Sequence, residues 1–212
     1  MIELKKIILK AKNKIKLDKN LFLFLTILLI VGIISGSIFA TILNNSDKIL
    51  VTEHLNTFLT NIENNNLNYF VSFKNNFITD ILNTLIIWVL GISIIGLPII
   101  IIMYFSKCFI LGFTIGSIFA SFKLKGFIFA LLYSFPTEII GLFICMILTM
   151  YSISFSIKMI YSVFKRKTVD FKLLINKYLI ILIISLGFDL IVSLYSSLAL
   201  PSILKYFIKF IR

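Results

Sequence analysis

Residues 21–43 read LFLFLTILLIVGIISGSIFATIL, 23 positions without a charged side chain. A helix rises about 1.5 Å per residue, so about 20 apolar residues cross the ~30 Å hydrocarbon core of a bilayer. This stretch is a membrane span. Seven lysines precede it (Lys5, Lys6, Lys10, Lys12, Lys14, Lys16 and Lys19) against Glu3 and Asp18. Residues 1–20 are therefore a basic tail expected on the cytoplasmic side. The run is not a secretory signal, because it exceeds the usual ~7–15 apolar residues and no A-x-A cleavage pattern follows.

The whole chain agrees with its first span. Of 212 residues, 59% are hydrophobic and 14% charged, and mean hydropathy is +1.06. Soluble chains carry roughly 25% charged residues. There is too little polar side chain to cover a water-facing surface, which excludes a soluble enzyme, and too much apolar side chain for disorder. The net charge of +12 comes from 21 basic and 9 acidic residues. In a soluble protein that balance would point to nucleic acid. Here the bases fall between apolar runs, so the partner is the lipid bilayer and no nucleic acid is expected. Cys108 and Cys145 lie inside apolar runs without metal or redox spacing.

Residues 44–80 form the one long polar segment, with 10 asparagines, four acids and two lysines, and are expected as an extracytoplasmic loop. Val51, Leu55, Phe58, Leu59 and Ile62 recur at helical spacing. After Asn64-Asn65-Asn66, so do Leu67, Phe70, Val71, Phe77, Ile78 and Ile81. Two amphipathic helices are expected, the second running into the next span. They either lie on the membrane surface or dock a partner.

Residues 81–200 are expected as a transmembrane bundle. Ile81–Phe105 reads as the second span, ended by Lys107, and Cys108–Phe122 as a short third span ended by Lys123 and Lys125. Gly126–Ile157 is about 48 Å as a straight helix, too long for one crossing, so a break near Pro136 is expected. Residues 158–177 are a basic cytoplasmic loop, Tyr178–Leu200 a fifth span, and 201–212 a basic C-terminal segment. With the N-terminus inside, 14 bases fall on the cytoplasmic side and 7 outside. The fold class is an all-α polytopic bundle of about five spans.

Gly32-x-x-x-Gly36 and Gly112-x-x-x-Gly116, the latter continued by Ala120, are small-residue stripes for close helix approach, within this chain or with another membrane protein. Glu138 and Asp189 are the acids inside the apolar segments. Such residues are candidates for a proton or cation path, which makes a small-solute or ion transporter the alternative function. Structurally, Glu138 could instead satisfy N–H groups freed at a break after Pro136. No catalytic motif, cofactor loop or metal-ligand spacing occurs, and the single His54 lies in the polar loop. No enzyme, cofactor or metal is expected.

One stretch goes beyond hydrophobicity: Trp88-Val-Leu-Gly91-Ile-Ser-Ile-Ile-Gly96-Leu-Pro98, then Lys107, Gly112-Phe-Thr-Ile-Gly116 and Pro136. It resembles the stage II sporulation protein M family of endospore-forming bacteria, over most of the chain. Where the wider family often carries Pro-His-Gly-x-x-Glu, this chain reads Pro136-Thr137-Glu138, so no role of that histidine carries over. The Ile, Lys, Asn and Phe bias fits a clostridial-type genome. The resemblance implies a non-enzymatic protein of the mother-cell membrane at the sporulation septum. It implies two partners, the membrane-anchored cell-wall hydrolases sporulation protein D (a lytic transglycosylase) and sporulation protein P (an amidase and endopeptidase). Together they would thin septal peptidoglycan and drive engulfment of the forespore.

Overall fold

The structure is a computed structural model that describes residues 19–64, 66, 68–165 and 171–211. Its elements are α1 (Lys19–Ile42), α2 (Asn45–Glu63), α3 (Tyr69–Ile92), α4 (Gly96–Ser134), a π-turn (Phe135–Ile139), α5 (Ile140–Lys165), α6 (Phe171–Leu194), a second π-turn (Tyr195–Ala199) and α7 (Leu200–Ile211). Five stretches are long and apolar enough to cross a membrane. The chain is an all-α, multi-pass membrane bundle. Residues 1–18 of the basic tail and 166–170 of the basic loop lie outside the described residues.

α1 and α4 run side by side in the same direction. Gly32 lies against Cys108, Gly36 against Phe109 and Phe113, Gly112 against Ile33, and Gly116 against Ser37 and Ala40. A Cβ on any of the four glycines would strike the facing helix. The backbones come close enough for Ser37 Oγ to donate to the Gly112 carbonyl at 2.9 Å. Both small-residue stripes are thus occupied by each other, within one chain.

The second and third spans correct the reading of Lys107 as a boundary. The second span is α3, and it stops at Ile92. A tight connection follows, in which Ser93 N–H donates to Leu90 O at 3.0 Å and Gly96 N–H to Ser93 O at 3.2 Å. Gly96 is packed so closely on Leu90 that a Cβ there would overlap its backbone. Pro98 sits in the first turn of α4, where a missing N–H leaves no bond unmade. Lys107 is 11 residues into α4, about 16 Å from its start and midway through the apolar layer. The charge is tolerated there because α3 supplies an acid opposite it. With Lys107 inside a span, the remaining bases divide 13 to 7 between the two sides. The third span is not short: Gly96 to Phe122 is about 40 Å of helix.

The polar segment folds as the two expected helices, the second running into the next span. Only Asn45–Glu63 stands apart as α2. Tyr69–Asp80 is the first half of α3, and Phe70, Val71 and Ile78 are exposed on its surface, as lipid-facing residues are.

At the end of the bundle where α1 finishes, here the upper end, a second layer forms. α4 breaks at Lys123, whose φ of 54° and ψ of −138° are non-helical. Beyond it Gly126 folds back onto Ile118 and Phe122. α2 and α7 close over this hairpin, and Leu59, Ile62, Ile118, Phe129, Ala130, Leu200 and Leu204 form one buried cluster. Thr52 and Ser121 share a hydrogen bond of 3.0 Å between α2 and α4. The expected break near Pro136 is the first π-turn. The second π-turn bends the last span just before Pro201.

Candidate functional site

Asn76, Asp80, Thr84 and Trp88 recur every fourth residue of α3 and so share one face. Each meets α6 or the π-turn after it. Asn76 Nδ2 donates to Ser196 Oγ at 3.3 Å, and Ser193 Oγ donates to Asp80 Oδ2 at 3.3 Å. Thr84 Oγ1 donates to Asp189 Oδ2 at 2.6 Å, and Trp88 Nε1 to the Tyr178 carbonyl at 3.4 Å. The partner numbers fall as the α3 numbers rise, so the two helices are antiparallel along a polar seam.

α4 adds the opposite charge. Lys107 Nζ is 3.7 Å from Asp80 Oδ1, each side chain being 27% exposed. The same ammonium interacts electrostatically with Asp189, Glu138 and Cys145. Asp189 is 8% exposed, whereas Glu138, in the first π-turn, is exposed. One cation therefore sits among three carboxylates drawn from α3, α6 and the π-turn. An unpaired charge at the centre of a membrane helix costs about 2.5–3.5 kcal/mol on insertion scales. Pairing is what makes this set of residues tolerable.

Below this network the family motif forms a latch. Tyr178 Oη donates to the Trp88 carbonyl at 2.7 Å. Its single proton is thereby committed, so Ser152 Oγ is the donor in the 2.8 Å Ser152–Tyr178 bond. Tyr178 stacks between Trp88 and Phe155, with ring centroids at 5.3 and 4.7 Å. Ser156 Oγ donates to the Gly91 carbonyl at 2.5 Å. Gly91 packs directly on Tyr178 Oη and Ser152, where a Cβ would overlap both.

The residues singled out from sequence thus fall into four places. Trp88 and Gly91 belong to the latch, Gly96 and Pro98 to the α3–α4 connection, and Gly112 and Gly116 to the α1 seam. Pro136 lies in the π-turn with Glu138. Glu138 and Asp189 each interact electrostatically with Lys107. Correcting the sequence reading, Asp80 is a third intramembrane acid and Lys107 the matching base. From sequence alone, Asp80 reads as one of the acids of the polar loop and Lys107 as the end of the second span. The missed signal was the fourfold spacing on α3, and the placing of Asp80 and Lys107 thirteen and fourteen residues from Ser93, as a helical hairpin requires. His54 is exposed. Among the described residues, no group of three or more His, Cys, Asp and Glu is placed to hold a metal ion.

The family model described as stage II sporulation protein M matches residues 25–197. No curated protein matches the chain, and no solved structure does. The match spans the α1–α4 seam, the latch and the charge network. This multi-pass membrane protein belongs to the stage II sporulation protein M family.

Proposed function

We propose that this chain is a membrane scaffold of the engulfment machinery. It gathers the peptidoglycan hydrolases, sporulation proteins D and P, at the septal membrane of the mother cell, with its N-terminus cytoplasmic and α2 on the wall side. The observation that carries this reading is family membership over residues 25–197. The upper layer supports it in detail. An open groove of about 640 Å³ runs along α2, lined by Lys48, Thr52, Glu53, Asn56, Thr60 and Asn61 among others. Amide and hydroxyl groups donate and accept hydrogen bonds without the desolvation cost of a charge, which suits a protein contact. Interfacial helices, by contrast, favour Lys and Arg on the polar face.

The test is co-purification from sporulating membranes, comparing the native chain with an Asn56→Lys/Asn61→Lys variant. Asn68 is left intact because its side chain caps α3, accepting the Val71 N–H at 3.2 Å. Both hydrolases are expected with the native chain, and loss of at least one with the variant at unchanged protein level. Recovery of neither hydrolase with the native chain overturns the scaffold reading. Recovery of both with the variant removes α2 as the dock.

A further inference from the structure

We propose that the network around Lys107 is a proton-binding site inside the membrane, entered from the upper face. Three observations carry this. First, the network holds three carboxylates to one ammonium, so full ionisation would leave uncompensated negative charge within the bundle. Like charges in a weakly polarisable interior cannot all persist, and a shared proton relieves them.

Second, exposure falls with depth. Glu138 is exposed, Asp80 and Lys107 are 27% exposed, and Asp189 is 8% exposed. Glu138 sits in one π-turn, and Ser193, the donor to Asp80, lies two residues before the other. The set is therefore graded from a surface carboxyl to an interior one.

Third, polar atoms continue below Lys107 without partners. Cys145 lies within electrostatic reach of the ammonium. The hydroxyls of Tyr104 and Thr149 are fully buried and unbonded. A thiol is the polar group near each, Cys108 for Tyr104 and Cys145 for Thr149. A buried hydroxyl without a partner calls for water, and water beside a charge network carries protons. The stacked rings of Trp88, Tyr178 and Phe155 close the lower end. On this proposal the site opens upward and is closed below, and is not a through-channel. The ionisable groups facing it are Asp80 from α3, Tyr104, Lys107, Cys108 and Tyr133 from α4, Glu138 from the π-turn, Cys145 from α5 and Asp189 from α6. The step is simple: a proton from water on the upper side joins a carboxylate, and returns there.

The experiment uses the full chain in lipid nanodiscs with dicyclohexylcarbodiimide, an apolar reagent that adds to protonated carboxyl groups with no leaving group. Labelled peptides are read by mass spectrometry. Ordinary carboxyls, with pKa values near about 4, are almost fully ionised at about pH 7. At that pH, label on Glu138 or Asp189 is expected well above the background on the peptides of α2, falling as pH rises. Lys107→Met removes the cation that favours ionised carboxylates, so label is expected to persist to higher pH, and Lys107→Arg to restore the native profile. Label no greater than that on α2, or a profile that Lys107→Met leaves in place, overturns the proposal. If Lys107→Met does not fold, the native and Lys107→Arg profiles decide alone. For the entrance, Glu138→Cys is expected to react with an impermeant thiol reagent from the same side as Asn56→Cys. Reaction from the opposite side overturns the upward opening.

Discussion

α1 meets α4 through glycine, and α3 meets α6 through side chains that donate and accept hydrogen bonds. In the first seam the glycines let the backbones approach, and Ser37 donates to the Gly112 carbonyl. In the second, four successive turns of α3 each reach across to α6 or its π-turn. Lipid tails are as apolar as leucine, so neither seam is held by escape from water. The first relies on close van der Waals contact over a long parallel run. The second relies on polar groups for which the alternative is hydrocarbon. Close contact tolerates no added volume, whereas a polar ladder can lose one rung and keep the rest.

Gly112→Leu tests that contrast most severely. The new side chain would enter the backbone of Ile33, and overpacking of this kind costs about 3 kcal/mol or more. Loss of folded protein, read by thermal unfolding in detergent, is expected, and a native melting curve would break the account of the seam. The next effect concerns the ion pair. Asp80→Asn or Lys107→Met alone leaves a charge without its nearest partner and is expected to cost about 2–3 kcal/mol, since the pair is partly exposed. The double variant is expected to cost less than the sum, giving a coupling that a double-mutant cycle measures. Additive costs would mean the two charges are independent. Smallest is Tyr178→Phe, which keeps the ring stack and removes the bond to the Trp88 carbonyl. A loss of about 1 kcal/mol is expected in the same unfolding assay.

The α1–α4 seam was legible because its signal is local: two glycines four apart can be read from either helix alone. The spans, the break at Pro136 and the stripe of α2 were legible for the same reason. Leu59 and Ile62 are indeed buried. The charge network was not, because a charged residue in an apolar run has two readings, span end or paired interior. Only the partner on another helix decides between them. For that reason Asp80 reads as a loop acid and Lys107 as a span end, and Glu138 and Asp189 stand without a base in the sequence. Tyr178 was likewise taken as the first residue of a span, although its hydroxyl and ring tie α3, α5 and α6 together.

The floor beneath α2 sets an order of manufacture. Leu59 and Ile62 rest on Leu200 and Leu204, which leave the ribosome some 140 residues later. Until then α2 has only Ile118, Phe129 and Ala130 of the α4 hairpin to cover its apolar stripe. The upper layer is therefore the last part of the molecule to be finished. A nascent chain that stalls before Leu204 would carry an incompletely seated α2 on an otherwise assembled bundle.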